Sequence, residues 1–199
     1  MPEPLILASA STARAAMLSA AGVEFTVEPT FTDEAAIKRE HLAAGGDVLA
    51  CAMALAEAKA RTIAARHLAA LVIGADQILA AGDEWFDKPE TVDEAAAQLR
   101  RLRGRDHVLV TAACVYRGKA RLWHATAMPR LTMRRFSEAF LAGYIAAEGD
   151  AVLGSVGAYR IEGRGAQLFA RTEGDHFGIL GLPLLELLEF LRGRGVLVE

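Results

Sequence analysis

Three short stretches of the sequence hold residue types suited to phosphate chemistry. The first is Ser9-Ala10-Ser11, which follows an apolar run at Leu5 to Ala8 and precedes a helical stretch. Two hydroxyls and the unpaired backbone N–H groups of a helix N-terminus make a ready anion site. Arg14, on the first helical turn, adds a charged fork for a phosphate oxygen. The competing reading is a plain capping serine beside a surface arginine. No GxxxxGK[ST] occurs, so this is not a Walker-type loop. The second stretch is Gly74-Ala75-Asp76-Gln77 at the end of the apolar run Leu71 to Ile73, with Ile78 to Ala80 continuing the strand toward a Gly82-Asp83 turn. Carboxylates at strand ends of α/β enzymes often hold a metal or a water. The third is Asp33-Glu34, two adjacent carboxylates of a kind common on surfaces. Lys59, among alanines, and Lys88, before Pro89, each read alone as a solvated lysine. Together these groups amount to a phosphoryl-transfer set. The hydroxyls and Arg14 serve phosphates, the carboxylates a divalent cation, and the lysines a polyphosphate tail.

The elements that would position these groups follow from periodicity and punctuation. Leu5 to Ala8 reads as a strand, Thr12 to Ala21 as a helix closed by Gly22, and Val23 to Val27 as a second strand. Apolar residues at helical spacing from Val48 to His67 predict a long helix bearing Lys59. Asp93 is expected to cap a helix through Leu102, and Ser137 another ending near Gly149. His107 to Tyr116 and Ala120 to Met133 predict two strands joined by a turn at Gly118-Lys119. The glycine-rich stretch from Gly154 to Gly165 reads as a functional loop. Gln167 to Thr172 reads as a strand, Glu173-Gly174-Asp175 as a turn, and Pro183 as a first-turn residue of the last helix. Strands and helices thus mix in an α/β pattern with at least one antiparallel hairpin. The expected result is a mixed, curved sheet flanked by helices, with two lobes around a central cleft.

Composition narrows the class of partner. The chain has 199 residues, 53% of them hydrophobic and 24% charged, with a formal net charge of -3. Length and core content suit one domain over residues 1–199. An acidic balance argues against a nucleic-acid binder, and the arginines at 100, 101, 103 and 105 read as a solvated helix end. The two cysteines, Cys51 and Cys114, have no zinc-ligand spacing and suggest no disulfide framework. No signal-peptide pattern and no apolar run of about 20 residues occurs, so no membrane association is expected and the cytoplasm is the expected location.

The ordering of the motifs is more specific than any one of them. Leu5-Ile6-Leu7-Ala8-Ser9-Ala10-Ser11 with Arg14 is followed by Asp33-Glu34, Ala58-Lys59-Ala60, Ile73-Gly74-Ala75-Asp76 and Lys88-Pro89. Gly104-Arg105 with His107 and Thr111 comes next, then Gly157-Ala158-Tyr159 and Ile161-Glu162-Gly163. Gly165, Glu173-Gly174-Asp175 and Gly181-Leu182-Pro183 complete the series. The series resembles the Maf family of nucleotide pyrophosphatases along nearly the whole chain. That resemblance implies a Maf/inosine triphosphatase-like fold and hydrolysis of a nucleoside triphosphate to a monophosphate and pyrophosphate. Removal of non-standard or modified nucleotides is the implied purpose, with regulation of septum formation through a protein partner as the alternative. By position, Ser9 and Arg14 match residues that hold the triphosphate, with Ser11 beside them. Glu34, Lys59, Asp76 and Lys88 match catalytic and metal-site positions, Asp76 as proton acceptor. The implied cofactor is a divalent cation, Mg²⁺ or Mn²⁺, with Asp76 and Glu34 as candidate ligands, and the implied assembly is a homodimer.

Departures from the family pattern bear on the base. Many relatives have Ser-Pro-Arg-Arg where this chain has Ser11-Thr12-Ala13-Arg14, threonine where it has Gln77, and glycine where it has Asp87. Gln77 and Glu162 look more like the branch acting on 7-methyl-GTP, although that branch usually has tryptophan in place of Ala13. Positions 13, 77 and 162 are therefore the expected determinants of base choice. A carboxylate at 162 suits guanine, which offers two adjacent donors.

Overall fold

The first strand sets the frame because every one of its positions is apolar and buried. β1 (Leu5–Leu7) pairs in parallel with β2 (Thr26–Val27) on one side and with β3 (Leu71–Ala81) on the other. Parallel neighbours require a crossover, supplied by α1 (Thr12–Ala20) between β1 and β2. Two further helices, α2 (Glu34–Ala43) and α3 (Val48–Ala64), lie between β2 and β3. The computed structural model describes residues 3–198 and divides the chain into two compact units. Unit 1 runs up to Gln77, resumes at Thr111–Ala127, and takes the chain from Asp175 onward; unit 2 is Ile78–Val110 and Met128–Gly174. The chain is α/β throughout, with a mixed sheet flanked by helices.

In unit 1 the strand faces separate by parity. Leu5 and Leu7, Leu71, Ile73 and Ala75, and Ala113 and Val115 of β5 (Asp106–Arg117) share one core. That core also takes Met17 and Leu18 of α1, and Leu184, Leu187 and Leu191 of the last helix, α7 (Leu184–Gly193). The opposite face carries Gly74 and packs on α3. A Cβ on Gly74 would lie 2.1 Å from the carbonyl oxygen of Ala56 and 2.9 Å from the nitrogen of Ala60. Only glycine permits so close a helix–strand approach.

In unit 2 the far part of β3 pairs with β4 (Glu84–Phe86). The near part of β5 pairs with β7 (Arg130–Met133), and β7 pairs with β8 (Phe169–Glu173), all antiparallel. α4 (Val92–Leu102) and α5 (Glu138–Glu148) complete the unit. Arg100 and Arg103 of α4 and its cap pair with Glu138, and Arg101 with Glu84, so the arginine cluster is a paired helix end.

Several elements differ from the sequence expectation, each for a local reason. β3 runs unbroken for 11 residues from Leu71 to Ala81, as the continuation through Ile78 to Ala80 predicts, so Asp76 sits mid-strand rather than at a strand end. The expected strand from Ala120 to Met133 is two: β6 (Ala120–Ala127) pairs with Thr111–Arg117, and β7 pairs with Asp106–Val108. Pro129, which cannot donate to a ladder, marks the break. Only Thr26–Val27 of the expected second strand pairs, while Val23 turns into the core. Thr91, not Asp93, caps α4: its Oγ1 accepts from Glu94 N at 3.1 Å, and the Glu94 carboxylate accepts from Glu90 N at 2.8 Å. Ser137 caps α5 as expected, accepting from Phe140 N at 3.1 Å, and Pro183 is the N-cap of α7 rather than a residue inside it. The stretch from Gly154 to Gly165 is not an open loop; it holds 3-10 turns at Val156–Ala158 and from Arg164, with Gly157, Ala158 and Tyr159 buried.

Candidate active site

The anion turn grows out of β1. Ala8 N donates to the Ile73 carbonyl at 2.8 Å, extending the ladder one residue before the chain turns into α1. Ser11 is the cap of α1, accepting from Arg14 N at 3.3 Å, while its own N–H donates to Ser9 Oγ at 3.2 Å. Arg14 is no surface arginine: it is 8% exposed. Its Nε donates to the Gly181 carbonyl at 2.7 Å and its Nη1 to Ser9 Oγ at 3.1 Å. Nη2 donates to nothing among the described residues and is not sealed from solvent. Gly181 adopts φ +99°, and a Cβ there would lie 3.3 Å from Arg14 Nε, so the glycine serves both the turn and the guanidinium. Burial pulls the Arg14 guanidinium below its usual range, while the charges of Asp76 and Glu34 oppose that shift.

Asp76 lies two residues past Gly74 and therefore on the same, α3-facing side of β3. The close approach at Gly74 sets Lys59, next to Ala60, against it. Lys59 Nζ is 2.5 Å from Asp76 Oδ1 and 2.7 Å from Glu34 Oε1. The side chains of Lys59 and Asp76 are 12% and 7% exposed, and that of Glu34 is 45% exposed. Asp76 Oδ2 accepts no hydrogen bond among the described residues, yet it is not sealed from solvent. Glu34 reaches this cluster because it opens α2, a helix with no sequence signature beyond its cap. Asp33 accepts from Ala36 N at 2.9 Å, but α2 buries no residue and so shows no apolar stripe.

Gln77 points to the other face of β3. Its Nε2 donates to Thr111 Oγ1 at 2.8 Å and to the carbonyls of Gly178 and Ile179 at 2.9 and 3.2 Å. Thr111 Oγ1 in turn donates to the Gly178 carbonyl at 2.8 Å. That carbonyl belongs to α6 (His176–Ile179), held by Asp175, whose two oxygens accept from Phe177 N and Gly178 N. Motif reading placed Thr111, Gly178 and Gly181 in no role, since their contribution is through contacts more than 60 residues distant in sequence. Ala13 stands half-buried on the first turn of α1.

Unit 2 holds the remaining expected residues. Lys88 lies in the segment between β4 and α4. Gln98 of α4, 4% exposed, donates from Nε2 to the Asp87 carbonyl at 3.0 Å and so fixes the peptide leading into Lys88. Glu162 is an exposed carboxylate paired with Arg160 at 3.3 Å. His107, 2% exposed, shares a hydrogen bond of 2.8 Å with the Tyr159 hydroxyl, and its Nδ1 has no partner among the described residues. Burial depresses its pKa to about 4, with Asp106 opposing. It is a core residue.

Asp76, Glu34 and Lys59, with Arg14, Ser9 and Ser11 nearby, are thus gathered in unit 1. No group of three or more histidine, cysteine, aspartate or glutamate side chains forms a metal cage among the described residues. The two carboxylates are nonetheless hard oxygen donors of the kind that binds Mg²⁺ or Mn²⁺ when phosphate oxygens and waters complete the shell. Among the described residues no helix is long and apolar enough to cross a membrane.

A profile described as Maf-like protein matches residues 4–194. The nucleoside triphosphate pyrophosphatase of Paramagnetospirillum magneticum is 52% identical over 193 residues, covering 97% of this chain and 100% of that protein. The protein of the same name from Granulibacter bethesdensis is 51% identical over 188 residues, covering 94% and 95%. That from Rhodospirillum rubrum is 51% identical over 196 residues, covering 98% and 97%. With its family motifs in order along a matched length of nearly the whole chain, this protein belongs to the Maf family.

Proposed function

We propose that the protein, acting as one domain over residues 1–199, is a nucleoside triphosphate pyrophosphatase. It would hydrolyse the α–β phosphoanhydride to a nucleoside monophosphate and pyrophosphate. The observation that supports it most is the Lys59–Asp76–Glu34 cluster beside Arg14: two carboxylates and two cations in one place, one carboxylate oxygen unpaired. A bound divalent cation, Mg²⁺ or Mn²⁺, held by Asp76 and Glu34 would supply charge stabilisation for the phosphates. Asp76 takes the proton of the attacking water at Oδ2, the oxygen that Lys59 leaves unpaired. The water oxygen bonds to the α-phosphorus as the bond to the bridging oxygen breaks, and the electron pair leaves with pyrophosphate. Arg14 through Nη2, together with Ser9, Ser11 and Lys59, offsets the charge that develops on the phosphate oxygens, and Lys88 is a further candidate from its motif position alone. The names of the relatives support the same reaction.

The test is pyrophosphate release from a mixture of nucleoside triphosphates with Mg²⁺ or Mn²⁺. Asp76→Asn should keep a cooperative melt and lose roughly 10²-fold or more in turnover, since general-base and metal contributions each reach that size. A folded Asp76→Asn protein of normal turnover would remove Asp76 from this role. A folded wild type that releases no pyrophosphate would favour the septum regulator acting through a protein partner.

A further inference from the structure

The carboxylates read above as metal ligands are already matched by cations of the protein itself. Lys59 Nζ bridges them, at 2.5 Å from Asp76 and 2.7 Å from Glu34, and Arg14 carries a second positive charge that both carboxylates influence. The pair with Asp76 is shielded, with side chains 12% and 7% exposed, so water screens it poorly. A bare divalent ion would therefore have to displace a well-held ammonium. Lys59 could not retreat far, because α3 is packed on β3 at Gly74, where even a Cβ finds no room. The displaced ammonium would remain within a side chain's length of the incoming ion and repel it. A polyphosphate changes this balance. Its oxygens offer Lys59 and Arg14 Nη2 new acceptors, and its negative charge accompanies the metal into the site.

We propose that Lys59 is a built-in counter-ion that keeps bare divalent cations out of the nucleotide-free site. The substrate is then the metal–nucleotide complex, whose phosphates draw Lys59 off Asp76 and Glu34 as the metal takes its place. This rests on the reading of Asp76 and Glu34 as metal ligands, and it adds an order of binding to that reading.

The experiment titrates Mn²⁺ into nucleotide-free protein and follows free Mn²⁺ by electron paramagnetic resonance. Lys59→Met, which removes the charge and keeps the length, should bind Mn²⁺ at least tenfold more tightly than the wild type. Adding Asp76→Asn to Lys59→Met should abolish that gain. Equal or weaker binding by Lys59→Met, or a gain that survives Asp76→Asn, overturns the proposal. Should Lys59→Met fail to fold, the wild type decides by NMR of its lysine ammonium groups, with Lys59→Arg identifying the signal. Millimolar Mg²⁺ alone should leave the Lys59 resonance in place, and Mg²⁺ with pyrophosphate should move it. A full shift with Mg²⁺ alone refutes the counter-ion role. Since none of these readouts uses turnover, failure of the reaction itself, scored by pyrophosphate release, is a separate result.

Discussion

At the scale of single residues, the same side chain type plays opposite parts according to what surrounds it. Arg14 and Arg160 are both paired, but Arg14 is buried and has one free fork arm, whereas Arg160 is spent on a surface carboxylate. Arg14→Lys keeps the charge and loses the planar fork, so it should weaken a triphosphate more than a monophosphate. A charge-assisted bond contributes about 1.5–3 kcal/mol, so the extra loss should be roughly tenfold or more, read by titrating both ligands into both proteins. Equal losses would mean that Arg14 does not contact the tail. His107 gives a pH dependence of known sign. Its folded pKa of about 4 lies below the ordinary histidine value, so the unfolded chain binds the proton more readily. The stability it permits is complete above pH ~6.5 and is lost as pH falls from there toward its folded pKa. The loss is on the order of 3 kcal/mol. Melting temperatures of wild type and His107→Phe at pH 7 and pH 4.5 should show a smaller acid-induced drop in the variant. An identical drop would place the acid sensitivity elsewhere.

At the scale of elements, the site depends on how closely α3 lies on β3. Gly74 permits the contact, Asp76 follows on the same face, and Lys59 comes from the helix turn that Gly74 touches. Gly74→Ala must push Ala56 and Ala60 away, at a cost of about 1–3 kcal/mol for overpacking. In a domain of this size, each kcal/mol lowers Tm by roughly 2–4 °C. Because the shift separates Lys59 from Asp76, turnover measured well below Tm should also fall by about tenfold or more. Gly143→Ala in α5 is the control: its Cβ meets nothing within 4 Å, so neither Tm nor turnover should fall. If Gly74→Ala lowers Tm and spares turnover, the packing does not set the catalytic distance. Gln77, on the other face of β3, joins β3 to β5 and α6 through its amide nitrogen. The strand thus presents the Asp76 carboxylate to one side and the Gln77 amide to the other.

At the scale of the whole molecule, the open matters are the base and the assembly. We propose a preference for guanine nucleotides, 7-methyl-GTP included, over UTP and dTTP, resting on Glu162. Guanine offers N1–H and N2–H₂ to one carboxylate, whereas uracil and thymine turn a carbonyl toward it. A half-exposed Glu162 already paired with Arg160 is partly solvated, so discrimination should be a few-fold rather than the hundredfold of a sealed pocket. kcat/KM for GTP, 7-methyl-GTP, UTP, dTTP and CTP checks this, and Glu162→Gln should flatten the ranking. A pyrimidine preference, or a ranking untouched by the substitution, would exclude Glu162 as a reader of the base. The homodimer implied by the family resemblance is checked by sedimentation.

What the sequence by itself determined was local. Ser11 and Ser137 announce their helices because a cap is satisfied within three residues, and the apolar spacing from Val48 onward shows α3 because burial is periodic. The order of short motifs was enough to indicate the family, and it put forward Ser9, Arg14, Glu34, Lys59, Asp76 and Lys88 as candidates. Tertiary structure alone decided what those residues touch. Arg14 finds its acceptor 167 positions away at Gly181, and Gln77 finds its own 101 positions away at Gly178, contacts that no local pattern encodes. It also decided that α2 forms without an apolar stripe, and that Pro129 splits one expected strand into two partners of β5. The physical reason is the same in each case. Caps and periodicity report what a segment does for itself, while pairing, close approach and ion contact depend on which other segment competes for the same face.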